Sequence, residues 1–154
     1  MKREGAQNTE DYDIWGLLAE TEELVAKARI LELSKHGLTK EQSHVLRIMT
    51  AAGGTMTLNE LAAKMLRAHN SVSAIVNRMQ KRDLVHRQRT EKSQQYRITV
   101  TEKGNKLFSS MPTQSLKLAF ATLSSAEKKE FARILKKVGL HTRSLLGLDY
   151  TSPF

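Results

Sequence analysis

The sequence predicts a mainly α-helical chain with one small β-ribbon, of two or three strands, just past its middle. Three observations lead there. Apolar residues recur at three- and four-residue steps over most of the 154 residues, the period of amphipathic helices. Glycine and proline are sparse, at 8 and 2, while apolar residues make up 40%, enough for a real core. Only between Leu84 and Val100 does the period change, in two runs rich in β-branched or aromatic residues. The length suits one compact domain, residues 1–154.

Residues 1–10 read as a polar arm. The first helix is expected from about Asp11 to Lys35, where Ile14, Leu17, Leu18, Leu24 and Leu31 repeat and His36-Gly37 closes the run. Trp15 near its start is either a buried anchor at a subunit contact or a ring on which a ligand stacks. Thr39 and Gln42 have capping-box spacing and open a second helix, which Ala51-Ala52-Gly53-Gly54 ends. Thr55-Met56 has room for a very short strand. Thr57 and Glu60 repeat the box, with Met56 and Leu61 spaced as a hydrophobic staple, and Leu58, Leu61, Ala62 and Met65 then face inward. From about Asn70 to Arg82, Val72, Ile75, Val76 and Met79 form a buried stripe. The opposite face holds Asn70, Ser71, Ser73, Ala74, Asn77, Arg78 and Lys81, with no acid among them.

Leu84–Arg89 and Tyr96–Val100 are the predicted strands, joined by the polar loop Thr90–Gln95. A helix pair followed by such a ribbon is a winged helix-turn-helix, here residues 38–104. Thr101 opens a helix holding Leu107, Phe108 and Met111, which Pro112 must kink or end. Ser124 and Glu127 form a third box before a last helix with Phe131, Ile134, Leu135, Val138, Leu145 and Leu146. The helices at 11–36 and 105–148 carry more apolar face than a lobe of this size can bury. The economical solution is a homodimer in which these are dimerisation helices.

Net charge is +9, unevenly spread: residues 64–97 hold nine Lys and Arg against two acids, residues 1–63 seven against ten. A basic stripe on the second helix of the pair and the ribbon points to phosphates, hence to double-stranded DNA. The absence of cysteine excludes disulfides, thiolate metal sites and thiol redox sensing. No apolar run is long enough to span a membrane and no secretory leader is evident, so the expected place is the cytoplasm. No nucleophile–base pair, phosphate loop or metalloprotease helix occurs, and the five histidines are scattered. The chain is therefore read as no enzyme, with no catalytic residue, metal or cofactor.

The ordered segments LTKEQSHVLRIM, LNELAAKM, SVSAIVNRM, LVHR and ITVTEKG resemble the MarR family of bacterial transcription regulators across most of the chain. The resemblance implies a triangular homodimer presenting two winged helices to a roughly palindromic operator. It implies that His69, Asn70, Ser71, Ser73, Ala74, Asn77 and Arg78 form the recognition face. Asn70, Ser73 and Asn77 would read bases, and Arg78 would meet the backbone or a structural partner. In the wing, Arg87, Arg89, Lys92, Gln94 and Arg97 are candidates for phosphate or minor-groove contacts. Small molecules act on such proteins where the dimerisation helices meet the lobe. A small-molecule effector is thus a candidate partner, with Trp15, His44 and Arg47 on helices that border such a crevice.

Three places depart from the family pattern. The usual Asp-x-Arg wing tip is Ser93-Gln94-Gln95, which removes both a bracing ion pair and a minor-groove arginine. The inter-helix turn is Leu66-Arg67 where glycine is common. The acidic N-cap of the recognition helix is Ala68, which leaves His69 or, better, Asn70 to cap. The expected function is a sequence-specific repressor, released by a small ligand. The alternative is a dimeric protein-interaction module whose DNA binding is lost or only nonspecific.

Overall fold

The computed structural model describes residues 9–91, 94–148 and Phe154. In chain order the elements are α1 (Thr9–Ser34), α2 (Lys40–Ala51), β1 (Thr55–Thr57), α3 (Leu58–Met65), α4 (His69–Lys81), β2 (Val85–Arg89), β3 (Tyr96–Val100), α5 (Glu102–Ser109), α6 (Gln114–Ala119) and α7 (Ser125–Leu145). The sheet is antiparallel with β3 in the middle, in the order β1-β3-β2. This is the mainly helical winged helix-turn-helix that the periodicities predict. Among the described residues, no helix is long and apolar enough to cross a membrane.

Each predicted capping box forms. Thr39, Thr57 and Ser124 accept from the N3 amides of Gln42, Glu60 and Glu127, whose side chains reach back to the cap amides. The helix ends share one device. After α1, Leu38 N–H reaches Leu33 O at 3.1 Å and Gly37 N–H reaches Ser34 O at 3.0 Å, with Gly37 at φ 67°. The same pair of bonds closes α3 around Leu66 and α4 around Asp83, at φ 54° and 58°. A β-carbon strains this left-handed backbone, so the glycine missing from the inter-helix turn is replaced by a leucine in a glycine's conformation.

The core lies inside the lobe. Leu46, Ile48, Met49, Leu61, Val72, Val76, Met79, Leu84 and Ile98 are all but sealed from solvent, and Leu33 at the end of α1 joins them. Helix α5 covers one side, with Leu107 and Phe108 against the cluster. It ends at Ser109, earlier than its apolar pattern suggests, so Met111 packs on the core from the link before Pro112. Gly104 permits the close approach of α5, since a β-carbon there would lie 2.2 Å from Leu84 O.

Two polar clusters fasten the flanking helices. Arg82, capping α4, donates from Nη1 to Gly37 O at 2.5 Å and to Gln42 Oε1 at 3.0 Å, so the end of α4 is tied to the α1–α2 corner. Gln42 is the buried polar residue this satisfies. On α1, Glu32 pairs with Arg29 at 2.7 Å and accepts from the Ser115 amide at 3.1 Å and from the Ser115 hydroxyl. Arg29 also donates to Pro112 O. Helix α6 lacks a side-chain cap of its own, and Glu32 supplies one from across the fold. The Ser115 hydroxyl, opposed by burial and helped by the Ser115 amide and Arg29, holds the Glu32 carboxyl down at about 2.

Outside the lobe, apolar faces stay open. Helix α7 buries no residue, and Phe131, Ile134, Leu135 and Val138 along it are exposed. Ile14, Trp15, Leu17, Leu18 and Leu24 on α1 are exposed too, Trp15 with its ring edge-on to Tyr12.

Candidate nucleic-acid interface

Helix α4 turns Val72, Ile75, Val76 and Met79 into the core, which leaves its polar stripe outward. His69, Asn70, Ser71, Ala74, Asn77 and Arg78 are exposed and Ser73 half-buried, so the predicted face exists as one surface. The expected cap does not form. Ala68 is the N-cap and no side chain bonds there; Asn70 lies one residue inside the helix with its side chain free of capping duty. The extended backbone of Ala68, at ψ 141°, starts the helix without help, and Val72 N–H closes the first turn onto Ala68 O. Arg78 forms no ion pair or hydrogen bond among the described residues, which leaves it available to a backbone phosphate.

The register of the wing sets where its cations go. Arg89 stands opposite Tyr96, Gln88 opposite Arg97 and Arg87 opposite Ile98. Thr90 closes the loop by donating twice to Gln95 O, from its amide at 3.2 Å and its hydroxyl at 3.0 Å. Arg89 and Arg97 are exposed, without a salt bridge among the described residues, and line a shallow recess of about 500 Å³ with Thr57, Gln95 and the acid Glu91. Gln94 is exposed at the tip. Lys92 and Ser93 lie outside the described residues.

Arg87 does not stand out with the other wing cations. Its guanidinium turns back onto α4, where Nη1 donates to Asn77 Oδ1 at 2.7 Å and more weakly to Ser73 Oγ at 3.4 Å. The Tyr96 ring supports it from the other side, 3.8 Å from the guanidinium carbon to the ring centroid. Two expected base readers and one expected phosphate contact are therefore bonded to one another. Sequence reasoning missed Tyr96. The signal was the strand register: Tyr96 is the diagonal neighbour of Arg87 on one face of the ribbon, within reach of long side chains.

At the junction of the lobe with the flanking helices, His44 and Arg47 of α2 meet Phe154. The ring of Phe154 stacks at 5.9 Å on His44 and lies 4.5 Å under the Arg47 guanidinium. Burial, then the nearby Arg67, Arg47 and Lys40 cations, push the His44 imidazole below its usual range. Phe154 also borders an apolar cleft of about 580 Å³ along α7, with Leu135, Leu140 and Arg143. Trp15, at the other end of α1, is not among its walls.

Residues 36–94, from the α1–α2 corner to the wing tip, match the profile of the MarR family. Over this stretch, the helix pair and the wing, the chain is similar to the MarR family. A Bacillus subtilis (strain 168) HTH-type transcriptional regulator, YkoM, is 22% identical over 138 residues, covering 87% of this chain and 89% of the relative. The ligand-free structure of the organohalide-sensing regulator RdhR-CbdbA1625 superposes with a TM-score of 0.77 at 26% identity, covering 94% of this chain and 90% of that one. Its 2,4-dichlorophenol-bound form superposes equally well. A MarR mutant from E. coli in complex with operator DNA has the same fold, with a TM-score of 0.76 at 16% identity over 87% of this chain and 99% of that one. In the fold these proteins share, α3–α4 is the helix pair and β2–β3 the wing.

Proposed function

We propose that this chain is a transcription regulator of the MarR type, acting as a homodimer that reads double-stranded DNA. Helix α4 lies in the major groove with Asn70, Ser73 and Asn77 toward the bases, and His69, Ser71 and Arg78 near phosphates. Arg89, Arg97, Gln94 and Lys92 reach the backbone or minor groove from the wing. The observation that carries this reading is the surface of α4 and the ribbon. Its polar stripe is largely exposed, and its outward cations Arg78, Arg89 and Arg97 form no salt bridge among the described residues, although Arg97 lies near enough to Glu60 to help the Thr57 amide hold that carboxyl below its usual range. Exposed cations on the helix and the ribbon beside it suit a polyanion, because each phosphate they neutralise releases a counterion.

The open apolar stripes of α1 and α7 suit a second copy. A two-fold dimer calls for a palindromic operator with half-sites about 34–36 Å apart. Such a dimer represses most simply by covering a promoter in the cytoplasm. The dichlorophenol-bound relative supports a small-molecule effector, and the cleft near His44, Arg47 and α7 is the place for it. An effector acts only through unequal affinity for the DNA-competent and incompetent states.

The altered wing tip favours one rival, a dimeric interaction module without DNA binding. Fluorescence anisotropy with a nonspecific duplex at low salt separates the two. Saturable, salt-sensitive binding is expected; no binding at any protein concentration would remove the DNA reading.

A further inference from the structure

We propose that Arg87 sets which base Asn77 reads, turning an asparagine, a residue that ordinarily suits adenine, into a guanine reader. The inference rests on the DNA-binding reading above. Arg87 belongs to the wing and Asn77 to the recognition helix, yet Nη1 of Arg87 donates to Asn77 Oδ1 at 2.7 Å and to Ser73 Oγ at 3.4 Å. The guanidinium is fixed in this pose. Its carbon sits 3.8 Å from the Tyr96 ring centroid, and its Nε is buried with no hydrogen-bond partner. To swing out to a phosphate, this half-buried side chain would give up the ring and both acceptors.

Chemistry then fixes the amide of Asn77. A guanidinium has five N–H donors and no acceptor, so the atom facing it is the carbonyl oxygen. The outward group is Nδ2 with its two hydrogens. Adenine presents an acceptor, N7, beside a donor, N6–H, and asparagine reads it by donating and accepting at once. Here the accepting oxygen already holds a cation, and a second bond from N6–H would set that amino group beside the guanidinium. Guanine presents N7 and O6, two acceptors and no donor in the major groove. The pair Arg87–Asn77 offers donors only, so it matches guanine and disfavours adenine.

The test uses the full chain and a library of duplexes with a random central segment, sequenced after retention by the protein. Wild type is expected to select guanine over adenine at one position of each half-site, by about 5- to 150-fold for one good base contact. Asn77→Asp keeps an acceptor for Arg87 but loses the donors, and should lose that preference. Arg87→Met removes the cation and its orphaned Nε, and should move the same position toward adenine. An arginine that only braced the wing would weaken retention of all sequences alike without moving the base. Adenine at the Asn77-dependent position in wild type overturns the inference, as does an unchanged base in a folded Arg87→Met. Wild type and Asn77→Asp decide guanine against adenine even if Arg87→Met does not fold. A wild-type chain that retains no sequence above any other removes sequence-specific DNA reading itself, and the inference with it.

Discussion

Gly104→Ala should destabilise the protein, although local helix preference argues the opposite. Alanine in place of a helical glycine is worth about 1 kcal/mol in favour of the helix. Gly104 lies in the first turn of α5, but its missing β-carbon would sit 2.2 Å from Leu84 O and 2.9 Å from Val100 Cγ1. The first is a backbone atom and more than about 1 Å inside ordinary contact distance, so α5 and the α4–β2 link must part. Overpacking of this kind costs about 1–3 kcal/mol. The same stretch carries three hydrogen bonds, Thr101 N–H to Leu84 O at 3.1 Å, Thr101 Oγ1–H to Asp83 O at 2.6 Å and Gly104 N–H to Thr101 Oγ1 at 3.0 Å. Each is worth about 1 kcal/mol when strained away. The net expectation is a loss of about 3 kcal/mol, or roughly 6–12 °C in Tm for a chain of this size. Gly16 in α1 is the internal reference, because nothing lies within 4 Å of its β-carbon position; Gly16→Ala should gain about 1 kcal/mol. Urea unfolding of both variants at one protein concentration checks the pair. A Gly104→Ala protein as stable as wild type would refute the packing argument.

Other perturbations test other parts. Glu32 has a lowered folded-state pKa of about 2, so its contribution is full above the ordinary carboxylate value and is lost as pH falls from there toward 2. Glu32→Gln should flatten that part of the acid-unfolding profile, read as melting temperature against pH; an unchanged acid limb would place the pairing elsewhere. Arg89→Ala should weaken all duplexes about equally and reduce the salt slope of binding by about one unit. A change confined to one base position would make Arg89 a base reader instead. Leu135→Asp on the open face of α7 should give a monomer mass in sedimentation at micromolar concentration where wild type gives a dimer. A dimer that survives it would move the interface off α7.

What the sequence disclosed was mostly local. Thr39–Gln42, Thr57–Glu60 and Ser124–Glu127 could be read because both partners lie within one turn, and all three boxes form. The α4 stripe was legible for the same reason, since Val72, Ile75, Val76 and Met79 must be buried together. Contacts between distant segments were not. Glu32 and Ser115 are 83 residues apart, and no spacing rule links an acid on one helix to the uncapped start of another. Arg87 looked like any wing cation, because its turn toward Asn77 depends on how the ribbon sits against α4. Ala68 misled for a different reason. A missing side-chain cap suggested that a neighbour must take over, whereas an extended backbone at the N-cap was enough.

Arg82 bears on how motion would pass through the molecule. The bend at Gly37 looks like a free pivot between the long arm α1 and the lobe. Yet the guanidinium at the foot of α4 grips the carbonyl at that bend, and with it Gln42 on the next helix. Tilting the arm by itself would break these two short bonds to a cation, so the bend and the foot of the recognition helix are linked. In a dimer held through its arms, the spread of the two reading heads would follow the arms like the jaws of a pair of pliers.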